Sequence, residues 1–174
     1  MLTGWSRGAG FFIALATATG THGCTGSPSG GGGGGVTIDT DGAVVSCKDD
    51  PRVDTYTANL TRAGQRGVLT FTLVKSEPAP PGKGNNVVTV KITKADGSVV
   101  TGDVIPDLRM PDHGHPSSLK PIATFDPATQ TYTVDPTYMF MAGVWRIQLD
   151  AYEGTADDAA VPLDSGVFMF CVEG

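Results

Sequence analysis

Apolar and polar side chains alternate with a period of two along several segments of the chain, and no segment shows the period of an amphipathic helix. In residues 68–73, for example, Leu69, Phe71 and Leu73 share one face. Asp96-Gly97 is typical of a tight turn, from which residues 99–104 return as a partner strand. The pattern predicts strands at residues 55–60, 68–73, 86–93, 99–104, 122–125, 131–134, 144–152 and 167–172.

About seven short strands separated by turn residues indicate an all-β fold, and we expect an immunoglobulin-like antiparallel β-sandwich. In residues 144–152, Trp145, Ile147 and Leu149 alternate with polar neighbours, so we expect Trp145 at the centre of the core. A small β-barrel is the alternative that the pattern leaves open.

The first 35 residues differ in composition from the rest and predict an export signal followed by a tether. The apolar run at residues 9–18 is shorter than the roughly 20 residues that a membrane-spanning helix needs. It fits a signal peptide of lipoprotein type at residues 1–23, with Cys24 as the lipidated first residue and a Gly/Ser tether to residue 35. Ordinary cleavage after Ala18, which leaves Cys24 free, is the alternative. Residues 36–174 form the predicted domain.

The charge and the cysteines of this domain point to a protein outside the cytosol that does not bind nucleic acid. The formal net charge of the chain is −6, and the domain is more acidic still, because residues 1–35 contribute only Arg7. An acidic surface is unsuited to a phosphate backbone. Once Cys24 is assigned to the lipid, Cys47 and Cys171 remain, and we expect them to form a disulfide in an oxidising compartment. A metal site on the two thiolates is the weaker alternative.

One short segment, residues 110–116, concentrates the chemistry that the domain offers. It contains Met110, His113 and His115. The two histidines are the only ones in the sequence after the predicted signal peptide. Imidazole suits Cu(II), whereas a thioether selects Cu(I), so Met110 and the more distant Met141 are candidate partners of the two histidines in a copper site. The alternative is a structural corner without metal. Because the chain lacks the usual hydrolase, metalloprotease and phosphate-loop motifs, we expect no enzymatic activity.

The segment from residue 86 to residue 172 resembles the YtkA-like domain, a family related to the FixH proteins of bacterial envelopes. The features that carry the resemblance are Met-Pro-Asp-His-Gly-His at residues 110–115, Tyr132, the Met-Ala-Gly-Val-Trp-Arg block at residues 141–146 and the Pro-Pro-Gly-Lys-Gly-Asn run at residues 80–85. The resemblance implies an immunoglobulin-like β-sandwich. It also implies a link to copper, because FixH proteins are associated with assembly of a copper-containing oxidase, although FixH has a transmembrane anchor where this chain has a predicted cleavable signal.

Together these observations predict a non-enzymatic lipoprotein of the bacterial cell envelope, anchored by its lipid and facing the periplasm or exterior. We expect it to bind copper or hand it on through His113, His115, Met110 and Met141. The alternative is a metal-free structural or interaction module. In both cases its contacts are the membrane and an envelope protein.

The predicted lipid anchor is tested by mass spectrometry of the mature N-terminus in a bacterial host. We expect a chain that begins at Cys24 with a diacylglyceryl adduct, and no adduct in the Cys24→Ser variant. A mature chain that begins after Ala18 with an unmodified Cys24 contradicts the lipoprotein prediction.

Overall fold

The computed structural model describes residues 37–38, 44–157 and 161–174, with the side chains described from Ser46 onward. The predicted signal peptide, Cys24 and the tether lie outside these residues. Within the described ranges, no helix has the length and apolar character needed to cross a membrane.

The described part of the chain consists of strands and a single 3-10 helix, Cys47–Asp49. The strands in chain order are β1 (Thr37–Ile38), β2 (Val44–Val45), β3 (Leu60–Ala63), β4 (Leu69–Glu77), β5 (Gly84–Lys94), β6 (Val104–Met110), β7 (His115–Pro116), β8 (Ile122–Asp126), β9 (Thr131–Met139), β10 (Gly143–Ala151) and β11 (Asp164–Val172).

Nine of these strands form two antiparallel sheets, and β1 and β2 form a separate pair. The first sheet has the order β3-β4-β5-β9-β8 and the second has the order β11-β10-β6-β7. In immunoglobulin lettering, β4-β5-β9-β8 correspond to A-B-E-D and β11-β10-β6 to G-F-C, with β7 as a short additional edge strand. The prediction of an immunoglobulin-like sandwich is therefore confirmed, and the barrel alternative is not observed.

The core lies between the two sheets and is built from the alternating positions that the sequence displays. Trp145 is completely buried, and Ile147 and Leu149 follow it on the inner face of β10. The inner residues of the facing sheet come from β4, β5 and β9 and include Phe71, Val90 and Val134. Because each strand presents every second residue to the core, the pattern alone orients most side chains.

Two predicted strands are wrong. Residues 55–59 are not a strand: Asn59 has a positive φ of 63° and the Leu60 amide turns back to the Thr57 carbonyl, so β3 begins only at Leu60. Residues 99–103 are not a strand either: Val99 makes one bridge to Thr93 and the Val100 amide donates to the Ile92 carbonyl, and the chain then crosses to the other sheet as β6.

Cys47 and Cys171 are joined by a disulfide, as the sequence predicts, with their Cα atoms 5.3 Å apart. The bond connects the 3-10 helix to the last strand across 124 residues of sequence. In the chain-entropy account, closing a loop of that length stabilises a domain by up to about 5 kcal/mol. The disulfide differs from that of antibody domains, which joins the B and F strands.

A buried carboxylate ties one sheet to the other at the start of β11. Asp164 is 1% exposed, and its two oxygens accept hydrogen bonds from the amides of Arg66, Val68, Leu69 and Ser165 at 2.8–2.9 Å. Burial opposes ionisation of this carboxyl, but the four amides together outweigh burial and lower its pKa. The ionised Asp164 thus fixes the turn that leads into β4.

We expect Asp164→Asn to destabilise the domain at neutral pH by about 2–4 kcal/mol, because the amide NH2 faces backbone donors that then lose their acceptor. The stabilisation by ionised Asp164 is present above its ordinary pKa of 3.8 and is lost as the pH falls through the lower folded-state pKa. The difference in unfolding free energy between wild type and variant, measured with urea, should therefore narrow below pH 4. Asp49→Asn, at an exposed carboxylate, serves as a control and should have little effect. A gap independent of pH contradicts this account.

Candidate functional site

The two sequence motifs, residues 110–115 and residues 141–146, meet at one end of the sandwich. The first lies in the β6–β7 hairpin, and its residues 111–115, the loop and the first residue of β7, are called here the histidine turn. The second begins in the connection between β9 and β10, residues 140–142, and continues into β10. Ser117 joins these parts, because its amide donates to the Leu108 carbonyl at 2.8 Å and its hydroxyl donates to the Tyr138 carbonyl at 2.6 Å.

The histidine turn brings the two imidazole rings close together. Gly114 has a φ of 68°, a conformation that glycine adopts without strain, and its amide donates to the Met110 carbonyl at 3.0 Å. The chain reverses at this point, so that His113 is exposed and His115 is half-buried in β7. The centroids of the two rings are 5.7 Å apart.

A row of aromatic rings connects the histidine turn to the core. His115 stacks on Phe140 with ring centroids 5.8 Å apart, and Phe140 stacks in turn on Tyr138 at 6.1 Å. The edge of Phe140 also meets the buried Trp145 at 5.6 Å, and the Trp145 indole donates to the Met141 carbonyl at 2.9 Å. The position of His115 is therefore set by a ring packed against the central tryptophan.

The two predicted thioether ligands occupy different environments from the imidazoles. Met110 is completely buried at the end of β6, and its methyl group fills the space beside Gly143. Met141 is half-buried and packs against the hydrophobic core. The structure thus brings His113 and His115 together at the surface, whereas the Met110 sulfur lies inside the domain.

The imidazole pair meets one necessary condition for sharing a metal ion, the distance between the ring centroids. A metal ion bound to an imidazole nitrogen at about 2.0 Å lies roughly 3 Å from the ring centroid, so rings that share an ion have centroids at most about 6 Å apart. In His115, Nδ1 is 3.2 Å from the Pro116 carbonyl, which can only accept a hydrogen bond. In the neutral tautomer with the proton on Nδ1, this contact is a hydrogen bond to the carbonyl and Nε2 keeps a lone pair for a metal.

Within the described residues, no group of three or more His, Cys, Asp or Glu has the spacing for a metal ion. The two histidines would offer an ion two imidazole nitrogens and would leave its other coordination positions to other ligands. This is compatible with copper chemistry, because imidazole is one of the ligands that copper prefers.

Arg52 is a neighbour of the histidine turn that the sequence pattern did not reveal. Its guanidinium donates from Nη1 and Nη2 to the two Asp112 oxygens, each at 2.8 Å, and also binds Asp50. The hydrogen bonds from Arg52 lower the pKa of Asp50 to about 2. Arg52 lies 60 residues before Asp112, so no local spacing signals the pair.

The model of the YtkA-like family matches residues 64–150, which is half of the 174-residue chain and includes both motifs. This match begins and ends earlier than the segment 86–172 on which the sequence resemblance was noted. No curated protein and no solved structure matches the chain.

Gly143→Ala tests the contact that joins the two motifs. A Cβ at this position would lie 2.7 Å from the Met110 methyl carbon, on a backbone with a φ of 130° that side chains rarely adopt. We expect a loss of about 2–4 kcal/mol in unfolding free energy from overpacking and backbone strain. Gly154→Ala is the matched control, because a Cβ there would meet nothing within 4 Å.

The same substitution in a Met110→Ala background separates the two causes. If the Met110 methyl is the obstacle, Gly143→Ala should cost less in that background. An equal cost in both backgrounds would show that the contact between the motifs is not what excludes a side chain at residue 143.

Proposed function

The chain belongs to the YtkA-like family, and on that premise we propose that it is a non-enzymatic protein of the bacterial cell envelope that binds copper or hands it on through His113 and His115. The observation that carries the proposal is the imidazole pair of the histidine turn, in which His113 is exposed, His115 is half-buried and the ring centroids are 5.7 Å apart. The resemblance to FixH proteins supports copper as the metal. The predicted lipid on Cys24 supports a location at the membrane surface.

The histidine turn suits an ion that is transferred rather than stored. His113 is exposed, so an incoming ligand can reach an ion that it binds, and the two imidazoles leave further coordination positions for a partner's donors. His115 is oriented by the Pro116 carbonyl and the Phe140 ring, which reduces the conformational entropy lost on binding. The combination of the oriented His115 with the exposed His113 favours uptake of a metal ion without enclosing it.

Of the two thioethers, only Met141 is assigned to the proposed copper site. Met110 would have to leave the core before its sulfur reached the surface, so we assign the site in its folded form to the histidines. Met141 is half-buried and borders Phe140 in sequence, which makes it the thioether that we propose for Cu(I).

A metal-free interaction module is the second candidate. It is favoured by Ile105 and Ile122, two large apolar side chains that are 43% and 62% exposed and line the same surface pocket. Exposed apolar side chains that lie together are suited to contact with another protein. In this alternative, the stacking of His115 on Phe140 serves only to shape the loop.

The experiment is a titration of the purified protein with Cu(II) and Cu(I), compared with His113→Ala/His115→Ala and with the exposed loop variant Ser118→Ala. We expect one Cu(II) per chain, an affinity reduced by about 100-fold or more in the double variant, and no change in Ser118→Ala. Met141→Leu should weaken Cu(I) alone, whereas Met110→Leu should leave both affinities unchanged. Equal, weak binding by wild type and double variant would remove the copper proposal and leave the interaction module.

A further inference from the structure

The segment from Ser46 to Asp54, called here the Cys47 segment, is fixed to the edge strand β11. The disulfide joins Cys47 to Cys171 in β11. At the other end of the segment, the Asp54 amide donates to the Met169 carbonyl at 2.7 Å, and the Met169 amide donates to Asp54 Oδ2 at 2.9 Å. The Cys47 segment is thus attached to β11 on both sides of Arg52.

From this segment, Arg52 reaches the histidine turn. Two parallel hydrogen bonds of 2.8 Å join its guanidinium to the Asp112 carboxylate, an arrangement that fixes direction as well as distance. Asp50 accepts from the same guanidinium at 2.6 and 2.9 Å, which limits the orientations that Arg52 can adopt. Asp112 immediately precedes His113 in the turn.

The Arg52–Asp112 ion pair is suited to orienting the histidine turn rather than to stabilising the fold. About half of each side chain is exposed, 44% for Arg52 and 47% for Asp112, and exposed ion pairs add little to the stability of a fold. Its effect is local: within the turn, the backbone hydrogen bonds of His113 and Gly114 both end on the Met110 carbonyl. The Arg52–Asp112 pair connects the turn to a part of the molecule outside its own hairpin.

We propose that Arg52 is a positioning residue for the histidine pair, and that the Cys47–Cys171 disulfide fixes the segment from which Arg52 acts. The proposal rests on the proposed function, because it assigns to the disulfide an influence on copper affinity. Exchange with a dithiol breaks the S–S bond, leaves two cysteine thiols and converts the dithiol into a disulfide. The released Cys47 segment then orients Arg52 less well, and the imidazoles lose their fixed separation.

The first measurement needs no metal and uses hydrogen exchange of the full chain. Arg52→Ala and Cys47→Ser/Cys171→Ser should each accelerate exchange of the Gly114 amide, whereas the Val90 amide in the core should keep its protection in Arg52→Ala. Lys94→Ala is the control, because Lys94 makes an exposed ion pair with Glu153, away from both the Cys47 segment and the histidine turn. Arg52→Ala keeps the disulfide and decides the question if the serine variant fails to fold.

The second measurement is Cu(II) affinity, with serine in place of both cysteines so that no thiolate competes for the ion. Arg52→Ala and the serine variant should each weaken binding roughly 10-fold, as loss of an outer-shell partner typically does. Their combination should be no weaker than Arg52→Ala alone, because both act through one contact. Arg52→Lys should restore only part of the affinity, since an ammonium lacks the two-pronged geometry.

Three results would overturn the proposal. Unchanged Gly114 exchange in Arg52→Ala would show that the pair does not order the turn. Tighter copper binding in Arg52→Ala, abolished by Asp112→Asn, would show that Arg52 instead withholds Asp112 from the ion. Additive losses in the combined variant would show that the disulfide acts by another route. If the wild type binds no copper, the exchange experiment still decides whether Arg52 positions the turn.

Discussion

The packing of the Met110 methyl group beside Gly143 is the constraint on which the structure around the candidate site depends. It lets the end of β6 lie directly against the start of β10, where a side chain at residue 143 would obstruct it. The Phe140 ring can then bridge Trp145 and His115. Because Trp145 is buried between the sheets, the contacts through Phe140 connect the histidine turn to the centre of the core. Two motifs separated in sequence thereby become one structural unit.

Period-two alternation was sufficient to predict the sandwich, since burial of one face is what orders strands such as β4, β5 and β10. It failed where the chain passes between sheets. Residues 99–103 have the pattern of a hairpin strand. In the structure the Tyr132 hydroxyl instead donates to the carbonyls of Val100 and Gly102, where the chain crosses to β6. At the candidate site, the proximity of His113 and His115 follows from their separation by one residue in sequence. The buried state of Met110 and the contact of Arg52 with Asp112 depend on tertiary packing that no local spacing encodes.

The candidate site combines a rigid support with an accessible tip. His115 is oriented from three sides, by β6, by the Pro116 carbonyl and by Phe140, while His113 projects into solvent. Coordination by two imidazoles alone would leave an ion open to exchange, as the proposed transfer of copper requires. In the proposed account, Arg52 and the disulfide connect the histidine turn to β11 at the opposite edge of the same sheet.

Pulsed EPR of the Cu(II)-loaded protein tests the central claim most directly, because it counts the imidazoles that bind the ion. The account predicts two imidazoles in the wild type, and one in each of the variants His113→Ala and His115→Ala. A spectrum without imidazole coupling, or one that neither substitution alters, would contradict the assignment of copper to the histidine turn.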